Sequence, residues 1–236
     1  MLSDEFCRYL VHHQSTMESY MQKYLAESIG TFALVFCGTG AIVINQESGG
    51  AISHVGVAMT FGLIILVMIY TFGEISGAHF NPAVTIGFWA LRLFPGKEVA
   101  PYLFSQTAGA ILASFSLRLL FPASKNLGAT LPAGSDWQSF VLEFILTFLL
   151  MLVIIRVSQG ARETGWFAGI AIGSMVGLEA LFAGPVCGAS MNPVRSLAPA
   201  LVSGNMSQVW IYLIAPISGA LTAVLCGKMF IKKAPF

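Results

Sequence analysis

The sequence predicts an all-α membrane protein with six transmembrane helices and two shorter helices that enter the bilayer without crossing it. The 236-residue chain is 56% hydrophobic and only 10% charged, and its mean hydropathy is +0.78. Soluble domains carry about 25% charged residues. The apolar residues form long runs, and a membrane-spanning helix needs about 20 of them. The 24 glycines also fit helices that pack closely in lipid.

Six long apolar runs mark the expected transmembrane helices, and turn-rich polar pieces separate them. The runs cover about residues 24–44, 52–72, 99–121, 137–157, 166–184 and 209–230. Two further apolar stretches, about 81–91 and 192–202, are too short to cross and are candidates for re-entrant helices. We expect an N-terminal tail (1–23), a membrane domain (24–230) and a C-terminal tail (231–236).

Charge and cysteine content exclude several other classes of function. The net charge of +1 offers no basic surface for a nucleic acid. The four cysteines are scattered, with no CxxC pair and no clustering with histidine that would bind a metal. The sequence contains no phosphate loop or nucleophile–base pair. We therefore expect no enzymatic activity, no cofactor and no metal site.

The positions of the basic residues predict the orientation in the membrane. With six spans, the side that holds both termini carries most of them: Arg8, Lys23, Arg92, Lys97, Arg156, Arg162, Lys228, Lys232 and Lys233. The opposite side carries Arg118 and Lys125. Cytoplasmic segments of membrane proteins are enriched in Lys and Arg. Both termini are thus expected in the cytoplasm. This rule does not separate bacterial, plasma and organelle membranes; we expect a plasma (inner) membrane.

An internal duplication organises the chain. Residues 75–85 read ISGAHFNPAVT and residues 186–196 read VCGASMNPVRS, so that Asn192 follows Asn81 by 111 residues. The first and fourth apolar runs share an ExxxTF pattern that starts at Glu27 and Glu143. The repeats are about 24–121 and 137–230. Because each repeat has three spans, the second is inverted, and inverted repeats place a shared site near the bilayer midplane.

Each repeat has Asn-Pro at the start of its short helix, at Asn81-Pro82 and Asn192-Pro193. Asn is a good N-cap and Pro is favoured at the first helical position, so a single pair would indicate an ordinary helix start. Two pairs in inverted repeats predict helices that meet N-terminus to N-terminus, each end carrying about half a positive charge. We expect the Asn side-chain NH₂ groups to remain free to donate into a pore for small neutral molecules, and cations to be repelled.

The two motifs, SGAHFNPAVT and GASMNPVRS, resemble the paired signature of the aquaporin (major intrinsic protein) family. The resemblance extends over about residues 24–230 and implies an aquaporin-like fold and a homotetramer in the bilayer. It implies that the pore motifs are Asn81, Pro82, Ala83, Asn192, Pro193 and Val194. The family usually has Ala at the position of Val194. The side chain at that position packs against its neighbours and donates no hydrogen bond, so we expect a small change in packing and an intact channel.

The resemblance also implies a narrow selectivity filter formed by four residues: Phe61, Ala180, Ala189 and Arg195. Apart from the resemblance, Phe and Ala in apolar spans would indicate simple packing, whereas a buried Arg usually faces a cavity. Strict water channels of the family typically have His at the position of Ala180, so this filter is expected to be wider. Glycerol-selective members typically have Asp at the position of Ser196.

Residues 126–136 and 182–201 resemble the plant nodulin-like intrinsic proteins and their bacterial relatives, which pass glycerol and undissociated metalloid acids as well as water. Those channels usually lack Phe at the position of Phe61. We expect a passive channel for water and small uncharged solutes. The alternatives are a strict water channel and a secondary transporter, which also uses inverted repeats but saturates and responds to ion gradients.

Ionisable residues inside the apolar runs are functional candidates by default, and a proton-coupled carrier would need such carboxylates. For Glu27 and Glu143 we favour a structural role, in which each carboxylate accepts hydrogen bonds from the backbone of a re-entrant loop. Glu179 precedes Ala180 and is expected to point away from the pore. Glu74, seven residues before Asn81, has two interpretations: it affects the cytoplasmic entry of the pore, or it is only a solvated loop charge. We favour the second.

Overall fold

The computed structural model describes residues 4–159 and 165–227, with side chains from residue 19 onward. Within these ranges the chain forms eight α-helices and no strand. They are α1 Asp4–Glu47, α2 Ser53–Ser76, α3 Pro82–Ala90, α4 Gly96–Leu120, α5 Asp136–Ser158, α6 Ala168–Cys187, α7 Pro193–Ser203 and α8 Val209–Gly227. The predicted C-terminal tail (231–236) and the basic residues Arg162, Lys228, Lys232 and Lys233 lie outside the described residues.

In the described part of the chain, six helical segments are long and apolar enough to cross a membrane: Ser19–Glu47, Ser53–Ser76, Gly96–Leu120, Asp136–Ser158, Ala168–Cys187 and Val209–Gly227. Helices α3 and α7 have nine and 11 residues. At 1.5 Å per residue they reach only about half of the roughly 30 Å hydrocarbon core. The predicted fold of six spans and two short helices is confirmed. The first helix begins earlier than expected, because α1 runs without interruption from Asp4 through the predicted tail.

The two repeats pack with the same internal geometry. Helix α1 lies against α4 as α5 lies against α8, and α2 lies against α6 where the repeats meet. At that contact a Cβ on Gly62 would lie 2.7 Å from the Gly173 carbonyl oxygen, and one on Gly173 would lie 2.6 Å from the Gly62 oxygen. Glycine therefore allows the two backbones to touch, as in other membrane helix pairs.

The outer surface of the bundle is apolar. Large hydrophobic side chains are widely exposed on it, including Phe104 (78%) and Leu119 (82%) on α4. Contiguous apolar surface of this extent is rare on soluble monomers and is the surface that lipid covers. The polar side chains are buried instead, and several of them lie on the two segments that precede α3 and α7. The functional chemistry of the bundle is therefore in its interior.

Two ends of the bundle are distinguished below. The terminal end is where the spanning part of α1 begins at Ser19 and α8 ends at Gly227. There the Tyr24 hydroxyl donates to Glu98 at the start of α4 (2.7 Å). The loop end is the opposite end, where residues 121–135 connect α4 to α5.

Candidate functional site: two re-entrant loops and a constricted channel

The segments that lead into α3 and α7 have matching backbone conformations. Gly77 (φ 83°) caps the C-terminus of α2 and Gly188 (φ 86°) caps that of α6, both in the left-handed conformation. Two non-glycine residues in each segment also have positive φ: Ala78, Phe80, Ala189 and Met191. Such conformations cost of order 1 kcal/mol each and persist only where the surroundings fix them. Matching strain in both repeats indicates that the same device fixes both loops.

A buried carboxylate fixes the first loop. Glu27 of α1 is fully buried. Its Oε1 accepts hydrogen bonds from the His79 backbone N–H (2.9 Å) and the Ser76 hydroxyl (2.7 Å). Its Oε2 accepts from the Phe80 backbone N–H (2.8 Å) and the Gln106 side-chain amide (2.8 Å). Four donors thus satisfy a carboxylate that would otherwise be very costly to bury.

Glu143 of α5 holds the second loop in the same way. It is fully buried, and its two oxygens accept from the backbone N–H groups of Ser190 (2.7 Å) and Met191 (2.8 Å). Both carboxylates thus accept hydrogen bonds from the backbone of a re-entrant loop, which is the structural role that we favoured from the sequence. The second carboxylate has fewer donors than the first, since Pro216 stands where the first repeat has the Gln106 side-chain amide, and the Cys187 thiol takes the place of the Ser76 hydroxyl.

Two tyrosines, which the sequence reasoning missed, tie down the helix ends before the loops. The Tyr102 hydroxyl donates to the Ser76 carbonyl oxygen, and the Tyr212 hydroxyl donates to the Cys187 carbonyl oxygen, each at 2.8 Å. Both tyrosines are buried to at least 99%. Their spacing of 110 residues nearly equals that of the Asn-Pro motifs, and this signal in the sequence could have identified them.

The two asparagines meet at the centre of the bundle. Asn81 Oδ1 caps α3 by accepting from Ala83 N (2.9 Å), and Asn192 Oδ1 caps α7 by accepting from Val194 N (3.1 Å). Asn81 Nδ2 also donates to the Met191 carbonyl oxygen at 2.7 Å. The side-chain NH₂ group of Asn81 is therefore only partly free to donate into a pore, unlike the expectation from the sequence. An amide nitrogen carries two hydrogens, so one N–H of Asn81 remains beyond this contact.

The residues that follow the asparagines pack as helix starts. Pro82 and Pro193 occupy the first helical positions, where the missing N–H costs nothing. Ala83 is fully buried in the main core, whereas Val194 (3% exposed) packs in a smaller cluster with Val35 of α1. The Val194 side chain, which is larger than the usual Ala, thus packs in this cluster with Val35.

Arg195 is fixed in an unusual position for a charged residue. It is 2% exposed, and its Nη1 donates to the Gly128 carbonyl oxygen at 3.0 Å. Its guanidinium carbon lies 5.0 Å from the centroid of the Phe61 ring, within the range of a cation–π contact. Arg195 Nε has no hydrogen-bond partner in the described part of the protein.

Two cavities run through the bundle and meet at this arginine. The larger cavity, of about 620 Å³, contacts both asparagines and continues to the terminal end at Glu74 and Trp166. The smaller cavity, of about 480 Å³, opens at the loop end beside His54 and Asn126. Among the described residues, only Phe61 and Arg195 line both cavities.

The two predicted filter alanines lie on either side of this junction. Ala180 lines the smaller cavity and Ala189 lines the larger one, and both are nearly buried. The structure therefore brings the four residues of the predicted filter together at one constriction. On one side an aromatic ring and a guanidinium face each other, and methyl groups occupy the other positions.

A chain of hydroxyl groups includes Ser196, the residue after Arg195, and the sequence reasoning missed it. The Thr130 hydroxyl donates to Ser196 Oγ (2.7 Å), which lies 2.5 Å from Ser190 Oγ. Ser190 Oγ in turn donates to the Asn192 carbonyl oxygen (2.8 Å). This chain joins the connection between α4 and α5 to the second re-entrant loop. Nothing in the spacing of Thr130 indicates the contact, because that connection has no counterpart in the repeat.

Two other acidic residues were assigned from the sequence. Glu74 is exposed and lines the larger cavity at its terminal end, but it lies within α2 rather than in a loop. The expectation of a loop charge is thus wrong. Glu179 lines neither cavity and is fully buried.

Comparison with known proteins agrees with this geometry. The profile of the family described as "Major intrinsic protein" matches residues 14–226. The chain belongs to the major intrinsic protein family. It is an integral membrane protein, as its six apolar helices and its relatives indicate.

Two relatives in this family are plant proteins. Aquaporin NIP1-1 of Oryza sativa subsp. japonica is 49% identical over 203 residues, which cover 86% of this chain and 72% of the relative. Nodulin-26 of Glycine max is also 49% identical over 203 residues, covering 86% of this chain and 75% of the relative. Both matches support the resemblance to nodulin-like intrinsic proteins.

A solved structure shares the fold. The X-ray structure of the aquaglyceroporin from Plasmodium falciparum superposes with a TM-score of 0.77 at 26% sequence identity. The match covers 90% of this chain and 96% of the other chain. The fold predicted from the two motifs is therefore the fold of a major intrinsic protein.

Proposed function

We propose that the four residues at the junction of the two cavities form the selectivity filter of a passive pore that admits glycerol as well as water. Family membership makes the chain a channel for water and small neutral solutes. The observation that carries the finer proposal is that Phe61 and Arg195 alone, among the described residues, line both cavities. A solute that passes from one cavity to the other therefore passes alongside these two residues.

The filter is suited to a solute with an apolar edge and a polar edge. The Phe61 ring offers an apolar face to C–H groups, while the guanidinium of Arg195, a residue that lines both cavities, offers hydrogen-bond donors. Methyl groups at Ala180 and Ala189 leave room that a larger side chain would fill. Glycerol carries hydroxyl groups along one carbon chain and so matches both edges. Undissociated metalloid acids such as boric acid are the second proposed solute class, since they are small, uncharged and rich in hydroxyl groups.

Ions are excluded by fixed positive charge. The guanidinium of Arg195 lies at the constriction, and the N-terminal ends of α3 and α7 direct their partial positive charges to the centre. A water molecule at the centre turns its oxygen toward the N–H groups that the asparagines retain. This orientation interrupts a proton-conducting chain of waters.

The proposed orientation puts both termini in the cytoplasm. Lys23, Arg92, Lys97 and Arg156 belong to the terminal end, and such an excess of basic residues is typical of the cytoplasmic side. At the loop end, the Arg118 guanidinium donates to the Ser124 carbonyl oxygen. A plasma (inner) membrane and a homotetramer with one pore per protomer complete the proposal.

Stopped-flow light scattering on proteoliposomes tests this proposal. We expect the wild-type protein to raise water, glycerol and boric acid permeability above that of protein-free liposomes. Ala180→His should lower glycerol and boric acid permeability by at least about tenfold, which corresponds to about 1.4 kcal/mol of added barrier. Ala180→Ser is the matched control, because it adds a polar group with little bulk. A wild-type protein that passes only water would refute the wide filter.

The same vesicles distinguish a pore from a secondary transporter. A pore shows flux that rises in proportion to the glycerol gradient and is indifferent to Na⁺ or H⁺ gradients. A transporter must change conformation in each cycle, so its flux saturates and follows the coupling ion. Saturation at millimolar glycerol together with ion dependence would favour the transporter.

A further inference from the structure

Glu179 of α6 is a buried acidic residue that neither re-entrant loop uses. It is fully buried, and neither of its carboxyl oxygens has a hydrogen-bond partner within the described residues. Glu27 and Glu143, which are equally buried, each accept hydrogen bonds at both oxygens. Glu179 is therefore the one buried carboxyl of the described structure that is left wholly unpartnered.

This absence of partners has a large energetic cost. A polar group removed from water without a compensating hydrogen bond destabilises the folded protein, and a buried charge costs more. Glu179 also interacts electrostatically with Glu143, and a second negative charge there would add repulsion. An uncharged acid avoids this repulsion and has one O–H donor and one carbonyl acceptor. A near-isosteric apolar residue would avoid the whole cost, so the position calls for a functional explanation.

Other buried polar atoms without partners do not match this pattern. Gln106 Oε1, Ser114 Oγ and Ser139 Oγ are also unsatisfied, but each is a single atom. Gln106 uses its nitrogen to hold Glu27, and a small hydroxyl group in a helix is less costly to leave unpaired than a carboxyl group. Among the buried ionisable side chains of the described structure, only Glu179 has no hydrogen-bond partner at any of its polar atoms.

The position of Glu179 places it beside the filter. Ile172 and Val176 of α6 line the larger cavity, and Ala180 lines the smaller one. At about 100° per residue, the Cα–Cβ bond of Glu179 points only about 20° away from that of Ile172 around the helix axis. Along the axis it lies one residue before Ala180, at the depth of the constriction. A change of side-chain rotamer alone would thus bring the carboxyl group of Glu179 to the channel.

We propose that Glu179 is a solute-binding residue of the filter, whose carboxyl group turns toward the channel and hydrogen-bonds to the hydroxyl groups of a passing polyol. The methyl groups of Ala180 and Ala189 leave space for this movement on the side of the filter that otherwise lacks a polar group. Arg195 and Glu179 then hold the solute from two directions while Phe61 contacts its carbon chain. The inference rests on the proposed function, since it assigns a binding group for the proposed solute.

Three side chains of similar length and shape test the assignment at position 179. Glu179→Gln keeps a donor and an acceptor, whereas Glu179→Met keeps the volume and removes both. We expect the ratio of glycerol to water permeability to fall by about three- to tenfold in Glu179→Met, the effect of one lost hydrogen bond in the transition state. Glu179→Gln should keep the ratio within about twofold of the wild type.

Thermal unfolding in detergent supplies the second measurement. If Glu179 serves binding rather than folding, Glu179→Met removes an unsatisfied buried polar group, and its melting temperature should equal or exceed that of the wild type. A structural role instead predicts a lower melting temperature with an unchanged permeability ratio, and that result would overturn the inference. An unchanged ratio in Glu179→Met overturns it at any melting temperature.

The two proposals can fail separately in this experiment. If the wild-type protein passes neither glycerol nor boric acid, the proposed function is wrong and the role of Glu179 falls with it. If the wild-type protein passes glycerol and Glu179→Met passes it equally well relative to water, only the role of Glu179 is wrong.

Discussion

The side-chain amide of Asn192 donates a hydrogen bond to the carbonyl oxygen of Phe80, 2.9 Å away in the other repeat. The reciprocal bond runs from Asn81 to Met191 at 2.7 Å. Each asparagine thus caps its own helix through oxygen and fixes the opposite loop through nitrogen. Because neither repeat can form these contacts alone, the centre of the channel depends on both halves of the chain.

Replacement of Asn192 by Asp should separate these two roles. An ionised carboxylate still accepts from the first turn of α7, but it cannot donate to Phe80, and two oxygens would then face each other. We expect Asn192→Asp to lower the free energy of unfolding by about 1–3 kcal/mol, the cost of leaving a buried acceptor unpaired. The measurement is thermal or denaturant unfolding of the purified protein.

Asn205 provides the control for this substitution. Its side-chain oxygen accepts from the Ser207 backbone and hydroxyl groups, and Asp keeps both contacts. Asn205→Asp should therefore change the free energy of unfolding by less than about 0.5 kcal/mol. Equal losses at the two positions would show that the contact between the repeats contributes nothing.

The two loop-holding carboxylates should differ in their contribution to stability. Gln has a single acceptor oxygen, so Glu27→Gln leaves two donors of that site without an acceptor, whereas Glu143→Gln leaves one. At about 1–3 kcal/mol per buried unsatisfied donor, we expect losses of about 2–6 and 1–3 kcal/mol. Chemical unfolding of both variants measures the difference. Glu74→Gln, at an exposed carboxyl on α2, serves as the control, and a larger loss at Glu143 would contradict the argument.

Much of the fold follows from local patterns in the sequence. The apolar runs give the six spans, and Asn-Pro marks the starts of α3 and α7, because Asn caps a helix and Pro suits its first turn. The repeat places both motifs at the centre and pairs Glu27 with Glu143. These features depend on periodicity and helix chemistry, which are visible in the sequence.

The remaining features of the site depend on contacts between distant segments. The partner of Arg195 is the Gly128 carbonyl oxygen, in the connection that joins the two repeats. A backbone acceptor has no side-chain identity in the sequence, so no motif could identify it. The start of α1 at Asp4 was missed for a different reason: the first residues are polar and mixed in charge, and hydropathy reports only the part of a helix that lies in lipid.

The close contact of α2 with α6 should not tolerate a methyl group. A Cβ on Gly62 would lie 2.7 Å from the Gly173 carbonyl oxygen and 3.0 Å from Gly177 Cα. Both are backbone atoms and cannot move independently of their helix. We expect Gly62→Ala to lower the free energy of unfolding by about 1–3 kcal/mol, as overpacking does in other cores.

Gly73 of the same helix is the matched control. A Cβ there meets nothing within 4 Å. Gly73→Ala should therefore stabilise α2 by about 0.5–1 kcal/mol, because Ala loses less backbone entropy than Gly in a helix. Opposite signs at the two glycines in unfolding experiments support the close contact, whereas stabilisation at both would show that the helices can separate at little cost.

The aromatic wall of the constriction should set the upper size limit of the solute. Phe61 lines both cavities and lies against Arg195, so Phe61→Ala joins the cavities through a wider opening and frees the guanidinium from its ring contact. We expect erythritol, one carbon longer than glycerol, to become permeant, with a rise in its permeability of at least about tenfold, or about 1.4 kcal/mol less barrier.

Phe88→Ala is the control, since Phe88 lines only the larger cavity, where its ring stacks on His79. Stopped-flow measurements with glycerol, erythritol and ribitol give the size limit of each variant. If Phe61→Ala keeps the wild-type limit, or if Phe88→Ala relaxes it equally, the narrowest point of the channel lies elsewhere.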